Sequence, residues 1–479
     1  MDMENEGYIR ALLARFQAAD TAPAFLLYDG QQLTQISYRR FAGDILCAAG
    51  WLRANGLAGQ HIALIRPNSY EWLVAFLAIG ACGGTPVLLD PELPGETLGQ
   101  QCAHTDTAAV CGGERLPEAW LASGVRRLPW PLPRAGAPLR GADLPRPEPE
   151  ATAVLLFTSG TAGKSKAVEL SFRNVACCIS SPDGGFSAPD MEKSILALPL
   201  HHIAGLRSSL DMLFRQKTLC IGRGSRYLLT EMPLFNPTHV LLVPAMAESM
   251  ARLLKNTETA AQRQKYLGTT LRRIGIGGAS VRREVCLYWM GLGYTVESGY
   301  AMTETAGVGT WAEWDSAHLN TIGRPWGETQ CRVENGELLL KGPSVMKGYY
   351  KDPAETARVL RDGWMHTGDL GRCDADGYYY LTGRRKNTII LSNGENVSPE
   401  EVEAQLAGCD AVLECLVYSD GKGICADIYT AQADWCAAFI RQYNAAMPLY
   451  RQIRKVNYSA QPLPKTGSGK VRRKECADV

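Results

Sequence analysis

Through the first three quarters of the chain, short apolar runs alternate with stretches of helical period. His61–Arg66 (H-I-A-L-I-R), Pro86–Leu89, Ala151–Phe157 (A-T-A-V-L-L-F), Ser194–Leu200, His239–Val243 and Arg273–Gly277 read as buried strands. Glu71–Ile79 and Ala245–Leu254, lying between such runs, read as helices. Strand, helix and strand in succession predict parallel sheets with helices packed on their faces. Trp72–Leu89 is an uncharged stretch of 18 residues, the length of a membrane span. The run Cys82-Gly83-Gly84-Thr85-Pro86 divides it into a helix and a buried strand, so no integral membrane segment is expected. Seven prolines between Pro129 and Pro149 mark an extended surface connector.

From about Gly323 the texture changes. Gly336–Lys341 and Gly377–Leu381 are short strands ringed by glycine, as in a small barrel or twisted sheet. Ser398-Pro399-Glu400-Glu401 opens a helix: Ser at the cap, Pro in the first turn, Glu three residues on. The expected architecture is α/β. A large N-terminal domain, residues 1–385, holds helix-flanked sheets plus a small barrel; a small mobile α+β domain, residues 386–479, follows, with the hinge at Lys386.

Composition narrows the classes. The chain has 479 residues, room for about two to four domains of ordinary size. Its 46 % hydrophobic and 21 % charged residues exclude disorder, collagen and coiled coil. Fifty basic residues against 49 acidic ones leave no excess with which to grip nucleic acid. Fifteen cysteines, an odd number without a C-x-x-C pair, read as reduced thiols, and the opening M-D-M-E-N-E-G is acidic where a signal peptide would be basic. Both point to the cytoplasm.

The most informative segment is the strand 151–157 running into Thr158-Ser159-Gly160-Thr161-Ala162-Gly163-Lys164-Ser165-Lys166. Glycines let backbone N–H groups encircle an anion, hydroxyls add donors, and lysines compensate charge, so the string suits a phosphate. A Walker A loop would need glycine at position 158, where Thr158 stands. The string instead resembles the phosphate loop of the adenylate-forming superfamily of acyl-CoA synthetases, luciferases and nonribosomal adenylation domains. Ala162, Ser165 and Ala167 depart mildly from that pattern.

Further segments resemble the same family, in its order. Leu198-Pro199-Leu200-His201-His202-Ile203-Ala204-Gly205-Leu206 is similar to the segment whose histidine, here His202, gates an acyl pocket. Gly277, Gly278 and Ala279 are similar to a loop lying against adenine, where glycine permits flat backbone contact. Ser298-Gly299-Tyr300-Ala301-Met302-Thr303-Glu304 resembles the segment in which a tyrosine stacks near the adenine. There the carboxylate, here Glu304, suits a Mg²⁺–triphosphate, and the hydroxyl of Thr303 holds the α-phosphate. Thr367-Gly368-Asp369 matches a ribose-binding turn, since one carboxylate can accept from two hydroxyls. Arg384 and the hinge residue Lys386 lie in a segment resembling the interdomain connection. Gly394, Glu395 and Asn396 resemble the loop that later faces the thiol. Lys470, tenth from the C-terminal end after Gly467-Ser468-Gly469, resembles the catalytic lysine.

The resemblance implies ATP, Mg²⁺ and CoA, or the phosphopantetheine of an acyl or peptidyl carrier protein, and a two-step reaction. A carboxylate attacks the α-phosphorus of ATP, then a thiol attacks the acyl-adenylate as the small domain turns about Lys386. The acyl pocket is expected between His202–Leu206 and Tyr300–Gly307. Leu198–Leu206 holds no acid to pair an α-ammonium, so a fatty or aryl carboxylic acid is expected rather than an amino acid. Besides a CoA ligase, two alternatives stand: a stand-alone enzyme loading a carrier protein, and a non-catalytic nucleotide- or acyl-binding protein.

Overall fold

The apolar runs assemble into two large sheets. The computed structural model describes residues 7–121, 124–158, 165–181, 187–255, 257, 259–279, 281–391, 395–464, 471 and 473. A seven-stranded sheet runs in the order Gly348–Tyr349, Lys166–Ser171, Thr152–Thr158, Thr85–Leu88, His61–Ile65, Thr107–Gly112, Arg126–Leu128. A nine-stranded sheet runs Arg324–Pro325, Thr310–Glu313, Thr295–Tyr300, Arg273–Ile276, His239–Leu242, Lys193–Ile195, Thr218–Ile221, Pro23–Tyr28, Leu33–Ser37. Interior pairings are parallel, as the strand–helix alternation predicts, and so is the edge strand Arg126–Leu128, whereas antiparallel pairs close the other edges, among them Lys166–Ser171 on Thr152–Thr158 and Thr310–Glu313 on Thr295–Tyr300. The run 194–200 contributes a strand only over Lys193–Ile195. Beyond it Leu196 N–H still reaches Cys220 O at 2.9 Å, but Pro199 brings no donor and the chain turns into a helix.

The main core lies between the two sheets. Ile62 and Leu64 of one strand join Phe25 and Leu219 of the other sheet in one cluster, with helices Tyr8–Ala19, Tyr38–Ala54, Tyr70–Ala81 and Ile203–Phe214 between them. Ala63 and Ile65, the alternate positions, face a second cluster with Val87 and Leu98 on the outer side. A strand buried on both faces has no polar side to show, which is why these runs are continuously apolar. Helix Tyr70–Ala81 starts where Ser69 Oγ accepts from Trp72 N–H at 3.1 Å, is buried along almost its whole circumference, and ends before Gly83 at φ +89°.

The Gly-ringed strands form a five-stranded antiparallel sheet in which Glu337–Lys341 and Tyr379–Arg384 both belong around Trp364–Cys373. A smaller C-terminal unit has its own core. Strands Glu414–Ser419, Ile424–Tyr429 and Ile453–Ser459 carry helices Pro399–Leu406 and Ala433–Ala446, packed through Val402, Leu406, Ala426 and Ile440. Ser398 caps the first helix as expected, its Oγ accepting from Glu401 N–H at 3.3 Å with Pro399 opening the helix. No described helix is long and apolar enough to cross a membrane. The 14 described cysteines are free thiols.

Candidate active site

Segments that follow parallel strands carry His202, Gly277, Gly278, Ala279 and Thr303, the usual place for a ligand in an open α/β sheet, whereas Asp369 and Arg384 lie on antiparallel strands. Strand Arg273–Ile276 ends where Gly277 N–H bonds Leu242 O at 3.0 Å; Gly278 then takes φ +83°, a conformation that suits glycine. Ala279 beside it is exposed. The neighbouring strand places Ser298 opposite Ile276, followed by Gly299 and Tyr300. Gly299 packs against the Thr310 carbonyl of the antiparallel edge strand so closely that a Cβ would collide with it. Ala301 follows, exposed.

Three segments distant in sequence meet at Asp369. Tyr300 Oη donates to Asp369 Oδ2 at 2.5 Å, and Arg384 Nε lies 2.6 Å from Oδ1. The ladder explains the second contact, because Asp369 and Arg384 are register partners on adjacent strands. Asp369 is 3 % exposed, and its own N–H donates to Thr367 Oγ1 at 3.0 Å. Burial, and then the Asp369 charge, push the Tyr300 hydroxyl well above the usual tyrosine range, so it remains a donor at any working pH. The result is a fixed phenol, carboxylate and guanidinium, able to read hydroxyls and an anion together.

A second constellation surrounds Glu304. It lies in the short 3₁₀ turn Thr303–Thr305, is 8 % exposed, and accepts from Tyr349 Oη at 2.9 Å. The Lys166 ammonium sits 4.9 Å over the Tyr349 ring and pairs with Glu355, which in turn takes Arg358 Nε at 2.6 Å. Arg358 chiefly, with Lys166 adding to it, holds the Glu355 carboxyl down at about 2. Thr158 is the register partner of Lys166, so these two residues of the predicted phosphate segment stand opposite each other on adjacent strands. Tyr349 and Glu355 were not visible in the sequence as partners of Glu304 and Lys166; the only signal was the G-Y-Y-K-D-P run, nearly two hundred residues from Lys166.

His202 caps helix Ile203–Phe214, with its carbonyl accepting from Leu206 N–H at 3.0 Å and its ring 4.4 Å from that of His201. Burial lowers its basicity, and His201, 3.7 Å from Asp90, is pushed to about 4 by burial and by His202. Asn68 pins this segment, donating to Leu198 O and accepting from Leu200 N–H, both at 2.8 Å. Both segments expected to bound the acyl pocket touch: a Cβ on Gly307 would sit 3.2 Å from Ile203 Cγ1.

Lys386 lies on the 3₁₀ turn Arg385–Asn387 beside Arg384; partial desolvation, then that guanidinium, hold its ammonium below the usual lysine range. Glu395 and Asn396 are exposed, Asn396 beginning the short strand Asn396–Val397. Ser159, Gly160, Thr161, Ala162, Gly163, Lys164, Gly394 and Lys470 lie outside the described residues. The chain on either side of Lys470 is anchored: Leu463 N–H donates to Glu414 Oε2 at 2.8 Å, and Arg473 pairs with Glu403 at 2.7 Å and Glu400 at 3.2 Å. Among the described residues no cluster of three or more His, Cys, Asp or Glu side chains could cage a metal. The single carboxylate of Glu304 suits a Mg²⁺ that keeps waters and arrives on phosphates.

A family model described as AMP-binding enzyme matches residues 14–350. Feruloyl-CoA synthase of an Amycolatopsis species is 30 % identical over 478 residues, spanning 92 % of this chain and 93 % of that one. A fatty acid–[acyl-carrier-protein] ligase of Mycobacterium marinum is 27 % identical over 532 residues, 98 % of this chain and 97 % of that one. Among solved structures, o-succinylbenzoate coenzyme A synthetase of Bacillus subtilis in complex with ATP and magnesium ion superimposes with a TM-score of 0.82 at 23 % identity, covering 96 % of this chain and 98 % of that one.

Proposed function

Since this chain belongs to the AMP-binding enzyme family, we propose that it joins a fatty or aryl carboxylic acid to AMP and passes the acyl group to CoA. The carrying observation is the convergence of Tyr300, Asp369 and Arg384, which supports a ribose and α-phosphate cradle. In this reading Asp369 accepts from the ribose hydroxyls, Arg384 reaches ribose or phosphate, and Tyr300 borders the adenine along with Gly277, Gly278, Ala279, Ser298, Gly299 and Ala301. Thr158 through Lys164, together with Lys166, hold the β- and γ-phosphates. Lys166 then exchanges Glu355 for phosphate.

Nucleophile and triphosphate are both anions, so the site must place donors where charge develops. Thr303 and Lys470 do so at the α-phosphate; one such donor is worth roughly 3–4 kcal/mol of transition-state stabilisation. Glu304 holds Mg²⁺, which when bound supplies positive charge to the triphosphate. His202, kept neutral by burial, stands at the acyl end and excludes water. The domain boundary falls at 385/386: Leu381 packs on the main core and Ile389 belongs to the C-terminal one, which supports Lys386 as the pivot. Rotation there presents Gly394, Glu395 and Asn396 to the thiol. The free thiols of the 14 described cysteines support action in the cytoplasm.

The acyl-carrier-protein ligase among the relatives supports a second reading, in which a carrier's phosphopantetheine replaces CoA. Incubation with ATP, Mg²⁺ and a panel of acids, with CoA or a holo-carrier protein, separates the two by mass spectrometry. The expected products are AMP, pyrophosphate and a CoA thioester in equal amounts. Acylated carrier without CoA thioester selects the second reading, and the absence of acid-dependent AMP contradicts both.

A further inference from the structure

Strand Glu337–Lys341 is apolar through Leu338, Leu339 and Leu340, all of them buried, yet it opens on a carboxylate. Glu337 is itself only 5 % exposed. A carboxylate so placed is costly unless its oxygens are engaged, and those of Glu337 are. Oε1 accepts from Gly368 N–H at 2.8 Å, while Oε2 lies 3.2 Å from Arg385 Nη2 and 3.4 Å from His366 Nδ1. The short bond is to the backbone of the Thr367-Gly368-Asp369 turn, in the middle of the segment that carries Asp369.

That bond falls where the strand ladder is interrupted. Leu339 and Glu337 are register partners of His366 and Leu370, so Thr367, Gly368 and Asp369 fill a gap that Leu338 alone spans on the other strand. A bulge of this kind takes backbone groups out of the ladder and re-aims the side chains within it. Side chains take up the released groups here. Thr367 Oγ1 donates to Leu338 O at 2.6 Å, and Glu337 Oε1 takes the Gly368 N–H. Gly368 stands at φ +71°, and Asp369 N–H closes the turn on Thr367 Oγ1 at 3.0 Å. From this turn the Asp369 carboxylate meets Tyr300 and Arg384. Its direction is thus set from behind, by the bond that Glu337 makes to the turn.

We infer that Glu337 is a positioning residue for the nucleotide: it holds the 367–369 bulge in the shape that points Asp369 at the ribose hydroxyls. This rests on the ribose cradle proposed above and names the residue that sets it. What the role requires of residue 337 is an oxygen acceptor at the reach of a glutamate. A glutamine supplies the same acceptor without the charge, whereas an aspartate keeps the charge but, one methylene shorter, falls short of the Gly368 N–H. A site built to bond hydroxyls discriminates against an analogue lacking them, so the aim of Asp369 can be read from nucleotide selectivity.

The test is acid-dependent pyrophosphate release with ATP against 2′,3′-dideoxyATP, at a saturating concentration of an accepted acid. The wild type is expected to favour ATP by at least ~10-fold in kcat/KM. Glu337→Met, similar in shape but without an oxygen, is expected to lower kcat/KM for ATP ~10-fold while the dideoxy nucleotide changes less than ~3-fold, so the gap closes. Glu337→Asp is expected to close it likewise, which keeps the test valid should Glu337→Met fold poorly. Glu337→Gln is expected to stay within ~3-fold of wild type for both nucleotides. Equal losses for the two nucleotides in Glu337→Met and Glu337→Asp, an unchanged gap in them, or a gap closed by Glu337→Gln as well, overturn the inference and leave the ribose cradle standing. Equal rates for both nucleotides in wild type overturn the ribose role of Asp369 and this inference with it. No release with any acid overturns the acid-activating reading itself.

Discussion

At the scale of single residues, the site owes its shape to burial forcing polar groups together. Glu355 shows this most clearly. Its carboxyl stays ionised down to about pH 2 beside Arg358 and Lys166, so it competes for the Lys166 ammonium over the whole working range. Glu355→Gln is expected to lower the KM for ATP several-fold in initial-rate measurements; an unchanged or raised KM would show that Lys166 does not serve the nucleotide. The histidine pair makes a pH prediction. In the unfolded chain His201 titrates near its ordinary value, whereas in the folded protein burial, then His202, hold it at about 4. Folded protein thus binds fewer protons than unfolded protein between those values, and stability, complete above the ordinary histidine pKa, declines as pH falls toward 4. Thermal melts at ~pH 7.5 and ~pH 5 should show a larger loss for wild type than for His201→Gln. An equal loss in both contradicts a buried neutral His201.

Individual elements were legible to different degrees. Strand His61–Ile65 and helix Tyr70–Ala81 stood out because burial on nearly all sides leaves an unbroken apolar run bounded by caps, Gly or Pro, and helix Pro244–Leu254 because its buried Ala247, Met250, Ala251 and Leu254 recur at helical spacing. Strand Lys166–Ser171 did not: its K-A-V-E-L-S pattern follows the loop that drew attention, and an antiparallel return cannot be told from a crossover by periodicity. Strand Ile453–Ser459 stayed hidden because an edge with only Ile453 buried reads as polar chain. Motif residues were legible by type and spacing, but their partners were not. Nothing local to Glu304 announces Tyr349, nor does anything near Lys386 announce that Asn387 Nδ2 donates to Glu400 Oε1 at 2.5 Å. That same Glu400, with Glu403, anchors Arg473, so one helix joins the Arg385–Asn387 turn to the segment that follows Lys470. Arg473→Met should therefore lower acyl-adenylate formation ~10-fold or more while thiolysis of preformed acyl-adenylate changes less than ~3-fold. Equal losses in both half-reactions would mean that the anchor only supports the fold.

For the whole molecule, the arrangement is two helix-flanked sheets offering the carboxyl ends of their strands, an antiparallel sheet that brings Asp369 to Tyr300 and Arg384, and a smaller unit with a separate core. The separate core is what the proposed rotation requires, since that unit's apolar packing does not depend on the first. Order of motifs along the chain made the architecture readable, whereas the contacts that join lobes, being long-range pairings of charged side chains, were not. The central claim is that residues from both units act on one ATP. It is tested most directly by isotope exchange between pyrophosphate and ATP in the presence of an accepted acid, comparing wild type with Lys470→Ala. The account predicts acid-dependent exchange in wild type and its loss by ~100-fold or more in the variant, with thiolysis of supplied acyl-adenylate retained. Exchange that survives the substitution, or that proceeds without any acid, would contradict it.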